Sequence, residues 1–169
     1  MFSKYASLFS SLILPTLVAA DGAFHTASYY VSYVTQFKGT LIVPPRVPSG
    51  GTPYVWPGLQ PPDNSGNPVG SGDWTITSTS ASGQSVSYDF GIQKRLNQAL
   101  FAVELYDNSW DFGNVVFQDV EVVAETTETS WCTANPQYSD VTIDFEGVSS
   151  SQSGGFVTCS IQQVTLSPP

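Results

Sequence analysis

Glu104 stands in the middle of a run with the alternation of a β-strand, Leu100 to Tyr106. Phe101, Val103 and Leu105 fall on one face; Leu100, Ala102, Glu104 and Tyr106 fall on the other. A carboxylate among apolar neighbours is costly unless it has partners or chemical work. The chemistry open to it is that of a general base, drawing a proton from water. A second carboxylate, Asp144, lies in the alternating run Val141 to Phe145, so the two are glycosidase candidates by strand position alone. The one histidine, His25, falls in what reads as a tail near the mature N-terminus, which gives little support to a Ser-His-Asp centre or a metal site. Trp56, Trp74, Trp110 and Tyr106 could stack sugars, although aromatics in β-sandwiches more often belong to the core. No phosphate loop or other cofactor motif is present, and no cofactor is expected.

These residues are carried by short, alternating, turn-punctuated runs. Ala27 to Val34 and Phe37 to Pro44 read as the first two strands. Tyr54-Val55-Trp56 reads as a short extended piece ended by Pro57-Gly58, and 60–72 as a loop. Asp73 to Thr79 and Ser85 to Phe90 read as a hairpin, and 93–97 as one helical turn. Leu100 to Tyr106 and Val115 to Val123 read as two strands joined by an aromatic turn, Asp107 to Asn114. Ala124 to Thr129 reads as strand end or loop, and Ser149 to Gly155 as a flexible turn. Phe156 to Ile161 and Gln163 to Leu166 close the chain. The expectation is an all-β protein, a β-sandwich or jelly roll.

The chain has 169 residues, of which 41% are hydrophobic, 13% aromatic and only 11% charged. Met1 to Ala20 reads as a secretory signal peptide: Lys4, an apolar stretch, then Val18-Ala19-Ala20 as a cleavage signature. It leaves one domain, 21–169, that is secreted, extracellular and monomeric, with no membrane attachment after processing. The mature part keeps Lys38, Arg46, Lys94 and Arg95 against 14 acidic residues, a formal charge of 4 − 14 = −10. That balance excludes a nucleic-acid partner and suits an acidic medium. Cys132 and Cys159 form the simplest pairing of a secreted chain, one disulfide. Its loop of 159 − 132 = 27 residues is worth about 3 kcal/mol in the chain-entropy picture.

Three blocks, in order, resemble the fungal glutamic peptidases, the eqolisins. Phe37 to Pro44 is similar to the family's early strand ending in Thr-Val-Pro. Val55-Trp56-Pro57-Gly58-Leu59 is similar to its Trp-Val-Gly-Ile-Asp-Gly block. Asn97 to Glu104, followed by Asp111-Phe112-Gly113-Asn114-Val115-Val116-Phe117, is similar to Asn-Ala-Glu-Trp-Ile-Val-Glu followed by Ala-Asp-Phe-Gly-Thr-Val-Thr-Phe. The resemblance implies a concanavalin-A-like sandwich of two bent antiparallel sheets. It also implies an acid peptidase mechanism with Glu104 as general base and a Gln as oxyanion donor. The family's Gln strand has no counterpart, because Gly58 is followed within fifteen residues by Asp73-Trp74. The sandwich is therefore expected to be incomplete. Gln60 stands in a loop context and does not inherit the role.

Four readings follow: an active acid endopeptidase; an inactive or shortened member of that fold; a carbohydrate-binding module on the same sandwich; and a glycosidase using Glu104 and Asp144. The partners implied are a polypeptide or a polysaccharide.

Overall fold

The computed structural model describes residues 23–46, 49–50, 52–60, 85–106, 109–134 and 136–169. The stretch read as a signal peptide, most of the 60–72 segment and the strand expected over 73–79 lie outside them. The described chain is all-β and antiparallel, with eight strands and one short helix. The strands are β1 (Ala23–Ile42), β2 (Thr52–Gln60), β3 (Ser85–Tyr106), β4 (Val115–Glu125), β5 (Gln137–Ser139), β6 (Thr142–Glu146), β7 (Ser149–Ser153) and β8 (Phe156–Ser167). The helix, α1, is Ser130–Thr133.

Two strands are far longer than the sequence runs suggest. The expected first and second strands are one, β1, with register shifts between Tyr30 and Val34 and between Val34 and Gln36. The helical turn expected over 93–97 is instead extended chain within β3, which pairs with β1 from Ile42↔Ser85 to Ala23↔Leu105. The ladder with β1 is interrupted here: of the five residues only Leu96 has a β1 partner, Val34, and pairing resumes on either side at Gly91 and Gln98. A straight strand of this length would run about 65 Å at roughly 3.3 Å per residue. Yet Tyr106 ends beside the start of β1, Val115 begins beside its end, and 107–114 must join them. Such a connection spans at most about 30 Å. β1 and β3 are therefore bent at the shifted register, and the sheet folds into two layers.

In the front layer, β2 pairs with the second half of β3, that with the first half of β1, and that with β5. In the back layer, the first half of β3 is followed by the second half of β1, then β4, then β8. β6 and β7 pair with opposite ends of β8. Val115 to Val123 is thus separated from Leu100 to Tyr106 by β1, and the two are not a hairpin. The sequence 149–155 is also more ordered than its serines suggest: β7 reaches a turn at Gly154-Gly155, both at positive φ, and returns as β8.

The core lies between the layers. The Phe101 ring, from the front layer, meets Phe117 at 4.7 Å and Phe37 at 5.5 Å, both from the back layer. Phe37 also meets Tyr88 at 5.3 Å. The neighbouring end is closed by Tyr29 against Trp131 of α1 and Phe145 of β6. There the Cys132–Cys159 disulfide ties α1 to β8, with Cα atoms 5.4 Å apart. Both cysteines are buried.

Candidate functional site

The odd positions of the second half of β3, Ala99, Phe101, Val103 and Leu105, are buried in the core between the layers. The even positions lie on the opposite face, in agreement with strand parity: Gln98, Leu100 and Ala102 are buried there, Glu104 is half-buried and Tyr106 exposed. Register fills in their neighbours. Tyr54 of β2 and Phe24 of β1 lie directly opposite Glu104, one on each side. Tyr106 lies two residues along the same strand. Trp56 is paired with Ala102, which makes it the diagonal neighbour of Glu104.

The carboxylate of half-buried Glu104 is held by two of these neighbours. Trp56 Nε1 donates to Oε1 at 2.9 Å, and the Tyr106 hydroxyl donates to Oε2 at 3.0 Å. This hydrogen bond, reinforced by the carboxylate's charge, holds the Tyr106 hydroxyl above the usual phenol range, so Tyr106 stays a donor. The Trp56 indole lies against Gly58, where an added Cβ would meet its six-membered ring. Tyr54 meets Tyr106 edge-on at 5.6 Å, and Phe24 meets Trp56 at 6.2 Å. Phe24, Tyr54 and Tyr106 remain 44%, 50% and 40% exposed. A carboxylate thus stands at the floor of an open ring of four aromatic side chains.

Glutamines lie on this layer but away from the carboxylate. Gln98 is buried and donates to Ser28 Oγ at 2.9 Å. Gln60 is the last residue of β2 and is paired with Gln98. The expected loop context of Gln60 is therefore corrected: β2 continues through Pro57 and Gly58. Among the described residues β2 is a terminal strand of the sheet, the position where a proline is tolerated. Both glutamines are six register positions from Glu104, about 20 Å along the strands. Among the described residues, neither can share one scissile carbonyl with it.

The other candidates are dispersed. Asp144 is exposed on β6, where Ile143 and Phe145 take the inward positions. It looks outward from the back layer and Glu104 outward from the front, so they form no carboxylate pair. His25 is no tail residue: it lies buried in β1, its Nδ1 donating to the Asp140 carbonyl and its ring edge-on to Trp110 at 5.3 Å. Trp110 packs on the core, stacks on Phe112 and donates from Nε1 to the Gly113 carbonyl at 2.7 Å, so it shapes the turn before β4. Trp74 lies outside the described residues. Sequence reasoning missed Tyr54 and Phe24. The i, i+2 spacing of Tyr54 and Trp56 places them on one strand face. Phe24 was hidden by reading the mature N-terminus as a tail.

Comparison with protein families, with curated proteins and with solved structures returns no match. Among the described residues, no helix is long and apolar enough to cross a membrane.

Proposed function

We propose that this chain is a secreted, non-hydrolytic polysaccharide-binding domain built on a glutamic-peptidase-type, concanavalin-A-like sandwich. The observation that carries this reading is the Trp56–Glu104–Tyr106 arrangement on an open aromatic face. A carboxylate with one donor on each oxygen is a fixed hydrogen-bond acceptor, and the exposed rings beside it offer flat apolar surface to sugar faces. Tyr30, 48% exposed, lies on the same face of β1 six positions beyond Phe24, opposite Gln98. Catalysis needs a second group over the reacting atom, and among the described residues the front-layer glutamines Gln60, Gln98 and Gln137 pair at register positions away from Glu104. Polysaccharide retardation in native affinity gels, set beside a casein digest at acid pH, tests the reading. Retardation without digestion supports it. Digestion without retardation overturns it.

The glutamic acid peptidase is the second reading. Its support is that the Trp block and the Glu block of the resemblance meet in one hydrogen bond, Trp56 to Glu104. In it Glu104 is the general base, and acid cleavage of a polypeptide disappears in Glu104→Gln. Secretion belongs to both readings: protein recovered from culture medium begins near Asp21, and a retained Met1 on that protein would contradict it.

A further inference from the structure

We infer that the Glu104 site is a receptor for an organic cation, an ammonium group presented by the bound sugar chain as an amino-sugar residue. The inference deepens the polysaccharide reading and rests on it for the polymer, but the cation site itself stands on its own geometry. Tyr54 and Phe24 flank Glu104 across the two neighbouring strands, Tyr106 stands ahead of it and Trp56 diagonally behind. The negative face of each ring attracts a cation, and three of these rings keep 40% or more of their surface open.

Among the described residues Glu104 has hydrogen-bond donors but no cationic partner, whereas Glu121 on β4 is engaged by Lys38 at 2.8 Å. Trp56 and Tyr106 each use one lone-pair direction of the carboxylate and leave the others free. They also fix its orientation, so a ligand need not order it on binding. The formal charge of −10 on 21–169 (4 − 14) favours approach of a cation. A neutral sugar would find the same rings but would leave the carboxylate charge uncompensated. An ammonium group satisfies both at once.

The test uses the full secreted chain and two probe pairs. The first is choline against its uncharged isostere with carbon in place of nitrogen, followed by saturation-transfer NMR. The second is fully deacetylated against fully acetylated glucosamine polymer in affinity gels. Choline should bind and the isostere should not; the deacetylated polymer should be retained at least about tenfold more strongly. Glu104→Gln should abolish the preference in both pairs. Tyr54→Leu, at a position half exposed, should weaken choline by roughly two- to fivefold. Equal retention of both polymers with no choline signal overturns the cation site and leaves polysaccharide binding standing. Choline binding with no retention of either polymer keeps the cation site and overturns the polysaccharide reading. Absence of both overturns the two together.

Discussion

The indole N–H of Trp56 and the carboxylate of Glu104 meet at 2.9 Å although 48 residues separate them in the chain. The contact depends on the register Trp56↔Ala102 and on the space left by Gly58, over which the indole lies. Replacing Gly58 with alanine should push the ring off the strand and break the hydrogen bond without touching either partner. Trp56→Phe removes the donor itself. Each substitution should cost about 1–2 kcal/mol in urea unfolding and abolish ligand binding at the front face. Unchanged binding in both variants would show that the indole does not position the carboxylate.

Phe101 is the side chain that joins the two layers. Its ring touches Phe37 and Phe117, which come from the other layer. Phe101→Ala should destabilise the domain by about 3–5 kcal/mol, measured by chemical unfolding. A loss below about 1 kcal/mol would mean that the layers are held together elsewhere.

Much of this core was legible from alternation. The stripe Phe101–Val103–Leu105, the outward Glu104 and the Cys132–Cys159 pair all follow from period and count. The architecture was not. Single strands that serve two layers look in sequence like two strands separated by polar residues, because the chain at the bend has no continuous inward stripe. Nor can a sequence say that β1 inserts between β3 and β4, since register between residues 43 (Ile42↔Ser85) to 90 (Val34↔Ala124) apart leaves no local pattern. The same limit hid the site: Phe24 and Tyr54 become neighbours of Glu104 only through strand pairing.

The disulfide should be a stability element. It closes a 27-residue loop and fastens α1, a four-residue helix too short to persist alone, to β8. The double Cys132→Ser and Cys159→Ser variant should lose about 3 kcal/mol in denaturant unfolding. Equal midpoints for oxidised and serine forms would contradict this.

Alkaline pH should weaken the fold through two buried phenols. Burial pushes Tyr29 up to about 12 and Tyr88 further in the same direction. Their folded values exceed the unfolded value of about 10, so their contribution is fully present below pH ~10 and is lost as pH rises through the folded values. Unfolding midpoints followed by circular dichroism should be flat in this respect below pH ~10 and fall above it. A flat profile well beyond that pH would contradict the burial of both rings.

The most direct measurement is product analysis on one sample: the secreted protein with deacetylated glucosamine polymer and a protein substrate at acid pH, with the acetylated polymer and Glu104→Gln alongside. The account predicts that the polymer is bound, that polymer and polypeptide both keep their length, and that the preference for the deacetylated over the acetylated polymer is lost in the variant. Shortening of either substrate by the unaltered protein, abolished in Glu104→Gln, would contradict it and identify Glu104 as a catalytic base.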